Sequence, residues 1–369
     1  MLPRRYFALD GMRGFAAILV TINHIGMNHD MRLGASAYLA VDFFFMLSGF
    51  VIALAYESRL QASFRFIDFL AARIIRLYPL LLLGMLFGVV KFAAQVVTHD
   101  PQTLSPAAFL GSLTTGIFIL PSNIPGFTEF YPHGLTIMPL NTPQWSLFFE
   151  MAANIAFGAL LYRLSTAKLG LVVLCTGLLH AYGVVHVTDK AAGVLPFAFV
   201  WGFPRVFFGF SAGMLLYRFL RDAPRRATQL AHLPAAVLVL ILAAAPSSIA
   251  MRWFEIGTIF VALPLILTAG ALWEIPEQHR NAYGLMGDIS YPLYIMHFPL
   301  LMAFLAIGDR LDAPLLLMTL AFLVGMSLFS YAALRLFDEP ARAWLSRHWR
   351  NRGGNAAVGI DGPSNFTGR

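Results

Sequence analysis

Ten stretches of this chain are apolar for long enough to cross about 30 Å of hydrocarbon as helices, which restricts the fold more than any motif does. They fall near 8–26, 37–56, 78–97, 145–163, 168–186, 197–217, 231–246, 254–273, 284–306 and 314–336. A bilayer offers no water to satisfy backbone amides and carbonyls, so such stretches are expected to be helical and to pack on one another. The expected fold class is therefore an all-α, polytopic membrane helix bundle of about ten spans. Composition agrees: 58% of residues are hydrophobic, 12% are charged and the mean hydropathy is +0.69, against about one-quarter charged residues in soluble domains. A net charge of +7 would suggest nucleic acid in a soluble protein. Here the basic residues collect in short loops between apolar runs, and no nucleic-acid partner is expected. One cysteine, Cys175, leaves no scope for an intrachain disulfide or a cysteine-based metal cluster.

The loops also set an orientation. Linkers at 57–77 (Arg59, Arg65, Arg73, Arg76), 164–167 with its flanks Arg163 and Lys168, 218–230 (Arg218, Arg221, Arg225, Arg226) and 274–283 (Arg280) alternate with linkers almost free of positive charge. The positive-inside rule places the basic ones, and the tail with Arg342, Arg347, Arg350 and Arg352, in the cytoplasm. Both termini then lie inside and the number of spans is even. The apolar segment 106–120 is short and sits within 98–143, which holds no Lys or Arg, so it is expected to be a re-entrant or interfacial element on the outer side. Arg4 and Arg5 precede the first run as in a signal peptide, but that run contains Arg13 and His24 and lacks a small-residue cleavage site, so it reads as a retained span. Residues 1–345 form the expected membrane domain; 346–369 are expected to be a polar, disordered cytoplasmic tail.

Arg13 and His24 share one apolar stretch, eleven residues apart. At about 100° per residue they lie on one helix face, roughly 16 Å apart along the axis. Ionisable groups in a span are costly unless they face a protein interior or a wet cavity, which makes the pair a site hypothesis; the plain alternative is a snorkelling Arg and a hydrogen-bonded core His. Sorting the other intramembrane polar residues by depth gives two clusters. Toward the outside lie His24, Asp42, Glu150 and His297; toward the inside lie Asp10, Arg13, Arg73 and Arg76. Arg73 and Arg76 are i,i+3 and share a face, able to grip a phosphate or carboxylate or simply to flank a span. Trp145 suits an interfacial helix start, and His297 could be a core histidine beside a kink at Pro292. The match Gly209-Phe-Ser-Ala-Gly213 to a nucleophile elbow lies inside a span, where small residues serve helix packing instead. His24 also lacks an acid at the four-residue gap of soluble glycerolipid acyltransferases.

Six segments in order along nearly the whole chain resemble the acyltransferase-3 family of integral membrane proteins, of the bacterial type without an appended esterase-like domain. They are Leu9-Asp-Gly-Met-Arg13 with His24, Val41-Asp-Phe-Phe-Phe-Met-Leu-Ser-Gly-Phe50, Arg73-Ile-Ile-Arg76-Leu-Tyr-Pro79, Gln144-Trp-Ser-Leu-Phe-Phe-Glu150, Gly287-Asp-Ile-Ser-Tyr-Pro-Leu-Tyr-Ile-Met-His297 and Asp338-Glu-Pro340. The resemblance implies an O-acyltransferase of the bacterial inner membrane that uses cytoplasmic acyl-CoA, with acetyl-CoA the expected form, and an acceptor hydroxyl on a surface polysaccharide, glycolipid or glycosylated small molecule. No permanently bound cofactor and no metal are expected.

On that reading Arg73, Arg76 and Arg13 hold the CoA phosphates, and His24 is the general base because imidazole titrates near working pH. Glu150, or less directly Asp42, would orient His24. Asp10, Trp145, Ser146, Tyr291 and His297 are further candidates. A transporter or flippase acting without chemistry is the competing class and would call for paired repeats and broken helices in both halves; no internal repeat is evident. A non-catalytic sensor or scaffold is a third.

Overall fold

The computed structural model describes residues 5–27, 34–100, 103–122, 136–187, 192–310 and 313–354. The helices are α1 (Phe7–Met27), α2 (Ala40–Ala62), α3 (Phe66–Val97), α4 (Pro106–Ile117), α5 (Gln144–Ala159), α6 (Thr166–His186), α7 (Gly202–Leu220), α8 (Leu233–Ala243), α9 (Ser248–Gly257), α10 (Leu263–Leu272), α11 (Glu277–Arg310), α12 (Leu315–Ala333) and α13 (Glu339–Asn351). The strand content among the described residues is one two-residue parallel bridge, β1 (Arg226–Ala227) with β2 (Trp273–Glu274). The chain is thus an all-α polytopic bundle.

Seven helical segments among the described residues are long and apolar enough to cross a membrane, against ten expected spans. The three expected spans outside that set are informative. In place of 8–26 stands α1, 21 residues long, whose Asp10, Arg13 and His24 lower its hydropathy. It lies inside the bundle, packed chiefly on α11 and also on α8, α10 and α2, with Met12, Ala16, Ala17 and Ile25 fully buried. Its polar residues therefore face protein rather than lipid, the condition under which a span tolerates them. In place of 145–163 stands α5, whose 16 residues give roughly 24 Å. It starts within the protein, not at its surface: Asn141 Nδ2 donates to the Ile295 carbonyl (2.9 Å) and the Gln144 side chain donates to the Gly116 carbonyl. In place of 231–246 stands α8, of 11 residues.

The segment expected to be re-entrant or interfacial is α4, of 12 residues, roughly 18 Å long and too short to cross. Ser105 caps it through Ala108 N with Pro106 in the first turn, a start signal that satisfies one orphan amide. Tyr78 ties its end to α3 by donating to the Ile117 carbonyl (2.7 Å). At the C-terminus α12 continues through a π-helical turn, Leu334–Asp338, into α13. The helix passes the boundary expected at 345 and runs to Asn351, where Trp349 Nε1 donates to Asp68 on α3 (3.0 Å). Residues 355–369 and Arg4 lie outside the described residues.

Two close helix crossings set the frame. Between α1 and α11 a Cβ on Gly14 would lie 2.6 Å from the Met286 carbonyl oxygen, so the two backbones touch where Asp10 and Arg13 emerge. Between α2 and α7 a Cβ on Gly213 would lie 1.9 Å from the Met46 carbonyl oxygen, and one on Gly49 would lie 1.9 Å from that of Phe210. Ser211 is fully buried in this crossing. The Gly209–Gly213 segment is a helix-packing element, as its place in a span required. Gly213→Ala is expected to push α2 and α7 apart at an overpacking cost of about 1–3 kcal/mol. Thermal unfolding of purified protein in detergent checks this; an unchanged midpoint refutes the contact.

Candidate active site

The α1–α11 crossing carries the first part of the site. Arg13 reaches from α1 across the glycine contact, its Nε 2.7 Å from Ser290 Oγ and its Nη2 2.5 Å from the Gly287 carbonyl. Asp10 lies 3.7 Å from Arg13 and accepts from Arg5 Nε at 2.6 Å; Arg5 also donates to Asp288 (2.7 Å). Every charged group here has an opposite partner, which offsets the desolvation cost of placing it in the bundle. Arg5, which in the sequence stands just before the first apolar run, belongs to this network.

Next to the crossing is a cavity of about 230 Å³. Its walls bring together Arg5, Asp10 and Arg13 from the start of the chain, Ser48 from α2, Arg73 and Arg76 from α3, Ser146 and Glu150 from α5, and Ser290, Tyr291 and Tyr294 from α11. Four arginines face two carboxylates, so the lining groups carry a formal excess of two positive charges over a partly apolar wall that includes Phe44, Leu47 and Leu147. The expected pairing of Arg73 and Arg76 on one face holds. Tyr291 Oη donates to the Leu77 carbonyl (2.7 Å), and Arg76 lies over its ring at 6.0 Å. Arg76 is 3.8 Å from Asp338, which Arg342 also approaches at 2.8 Å, so the Asp338-Glu-Pro340 segment stands behind the cationic wall.

Glu150 is not at the level of His24. It accepts from Arg73 Nη2 at 3.0 Å and from Ser48 Oγ at 2.9 Å. The expectation that it orients His24 is corrected for a physical reason. Its helix begins inside the protein, so a residue two turns along α5 sits at the depth of Arg73.

Above Glu150, one turn nearer the start of α5, Ser146 Oγ and Tyr294 Oη share a hydrogen bond of 2.9 Å. One turn further along α11 is His297, fully buried. Its Nδ1 lies 2.8 Å from the Tyr294 carbonyl and 3.2 Å from that of Leu293, and its Nε2 lies 2.9 Å from His24 Nδ1. The group that meets His24 is thus another histidine. Polar side chains descend from His24 through His297, Tyr294 and Ser146 to Glu150 and the arginines. His24 itself is not among the residues lining the cavity; the Tyr294 backbone connects the two.

Asp42 is also placed elsewhere. Both its oxygens are held by Arg205 (2.9 and 2.7 Å), and His180 Nε2 is 3.5 Å away. Arg205 further donates to the carbonyls of Tyr38 and Ala192. This buried node joins α2, α6 and α7, and Asp42 does not reach His24. Trp145, expected as an interfacial anchor, is buried with the Arg205 guanidinium 5.6 Å from its ring. Arg205 carries no family motif, yet it sits in the expected span 197–217, where the cost that singled out Arg13 applies equally.

A family model described as an acyltransferase domain matches residues 6–335. Protein 2 in the picA locus of Rhizobium radiobacter is 36% identical over 166 residues, which cover 42% of this chain and 82% of that protein. Acyltransferase MdmB of Streptomyces mycarofaciens is 31% identical over 177 residues, covering 44% of this chain and 41% of that protein. No solved structure matches the chain.

Asp42→Asn is expected to destabilise the protein by about 3–5 kcal/mol, because it leaves Arg205 buried beside a neutral group. Replacing both partners by apolar residues, Asp42→Leu with Arg205→Met, is expected to recover part of that loss. Unfolding midpoints of the single and double variants decide the point, and equal midpoints for wild type and Asp42→Asn would refute the pairing.

Proposed function

The chain belongs to the acyltransferase-3 family of membrane acyltransferases, and on that premise we propose that it moves an acyl group from cytoplasmic acyl-CoA to a carbohydrate hydroxyl. The acetyl group is the first expectation for the cargo, and the acceptor is a surface polysaccharide, a glycolipid or a glycosylated small molecule. The observation that carries the reading is the cavity with four arginines and a partly apolar wall, whose lining residues Ser146 and Tyr294 are joined to the His24–His297 pair by hydrogen bonds. CoA is a polyanion on a flexible pantetheine arm. Guanidinium groups bind phosphate bidentately, and the apolar part of the cavity wall suits the arm and a short acyl chain.

His24 then acts as the general base. Its ring takes the proton from the acceptor hydroxyl as the hydroxyl oxygen attacks the thioester carbonyl. The carbon–sulfur bond breaks and CoA leaves as the thiolate, which takes that proton back from the imidazolium to become the free thiol. Arg73 and Arg76 hold the donor's phosphates; Glu150 holds Arg73 in place between turnovers through the 3.0 Å pair. The basic loops favour the cytoplasmic side for the arginine end; this reading sets the protein in a bacterial inner membrane, with the arginines on the side where acyl-CoA is made and His24 toward the opposite face.

Thiol release from acetyl-CoA by purified protein tests the reading. His24→Ala is expected to lower kcat by about 10²–10⁴-fold, the usual worth of a general base, with KM for acetyl-CoA changed less than about threefold. Arg76→Gln is expected to raise that KM by about 10-fold or more, since a hydrogen bond to a charged group is worth about 1.5–3 kcal/mol. Proton NMR of the polysaccharide and glycolipid fractions from cells expressing wild type or His24→Ala reports the acceptor. Full turnover by His24→Ala would overturn the assignment of the base, and equal ester content in both fractions would overturn the polysaccharide and glycolipid acceptors.

A further inference from the structure

We infer that His297 is the positioning residue of His24 and sets the tautomer in which the base works; the inference rests on His24 being the base. His297 Nδ1 faces two backbone carbonyls, those of Tyr294 at 2.8 Å and Leu293 at 3.2 Å. Carbonyl oxygens only accept, so Nδ1 of His297 carries the proton. In the neutral ring Nε2 therefore holds the lone pair, and it lies 2.9 Å from His24 Nδ1. That nitrogen of His24 must in turn be the donor, which leaves the lone pair of His24 on Nε2, the atom that takes the acceptor's proton. The order of bonds is backbone carbonyl, His297, His24, acceptor hydroxyl.

A neutral imidazole in this role suits the surroundings. Serine hydrolases orient their histidine with a carboxylate. A carboxylate deep in a bundle brings a charge whose burial is costly, whereas His297 supplies an acceptor for His24 Nδ1–H without one. When His24 becomes imidazolium the same bond becomes charge-assisted and shortens. The α11 segment fixes ring rotation as well: the two imidazole centroids are 5.0 Å apart at 32°, and Phe298 meets the His24 ring edge-on at 5.2 Å. Tyr294 links this relay to the donor cavity, because its hydroxyl bonds Ser146 in the cavity wall while its carbonyl holds His297. The Val20 carbonyl on α1 is a second acceptor for the His24 ring, and the experiment has to separate its contribution from that of His297.

Full-length protein in nanodiscs is assayed with acetyl-CoA and examined by ¹⁵N NMR of labelled histidines, the His24 resonances being identified by their loss in His24→Ala. In the wild type His24 is expected to show a protonated Nδ1 and an unprotonated Nε2. His297→Leu is expected to abolish that single-tautomer signature and to lower kcat by about 100-fold, with KM for acetyl-CoA within about threefold. His297→Gln can donate its amide to the Tyr294 carbonyl and accept from His24 Nδ1–H, so it is expected to restore both the signature and activity to within about tenfold of wild type. A His24 tautomer that is unchanged in His297→Leu, and so held by Val20, overturns the inference, as does a protonated Nε2 in the wild type. Equal loss in the Leu and Gln variants also overturns it, since that is the outcome of a packing role alone. Full activity of His24→Ala would instead mark the failure of the base assignment.

Discussion

A guanidinium placed in hydrocarbon has to be given partners by the protein, and much of the bundle's arrangement follows from how Arg13 receives them. The chain puts Arg13 near the start of a helix otherwise made of apolar and small residues. Close approach of α1 and α11, allowed by glycine at the crossing, delivers the Gly287 carbonyl and the Ser290 hydroxyl to within hydrogen-bonding reach. Asp10 and Asp288 then draw Arg5 into the same knot. Once α1 is drawn inward, its far end carries His24 into the bundle on the same face, and α11 meets it again with His297.

The result is a polar column inside an apolar protein. Its lower end is cationic and open as a cavity; its upper end is a hydrogen-bonded pair of imidazole rings. The gradient suits a donor with charged phosphates at one end and a neutral thioester at the other. Polar groups along the column are bonded mostly to one another, so they cost the bundle little and are held in register. The Asp42–Arg205 node follows the same rule with a different result. There the carboxylate is held by a bidentate arginine with His180 3.5 Å away, which makes it a joint between α2, α6 and α7.

Much of this was legible in the residues. The apolar runs implied helices, and seven of the ten expected spans appear as long apolar helices. The prohibition on lone charges in lipid singled out Arg13, the i,i+3 spacing set Arg73 beside Arg76, and the fold gathers all three around one cavity. Assigning partners from depth was less successful. Counting residues from an assumed surface start put Glu150 beside His24, but α5 starts inside the protein, anchored by Asn141 and Gln144, so Glu150 met Arg73. Arg205 was as visible as Arg13 by the same cost argument, and without a motif around it only its contact with Asp42 gives it a role. His297 was visible as a candidate; its bond to His24 was not, because the two are 273 positions apart in the chain.

Local chemistry in the sequence determined the class of fold, the helical form of the spans and the identity of the residues too costly to leave in lipid, since hydrocarbon charges every residue separately for its polarity. Which of those residues became partners was decided by the tertiary structure alone. Pairing depends on where a helix begins and on which face a neighbour approaches, and both are set by contacts between distant segments, such as Asn141 with Ile295 and Gly14 with Met286.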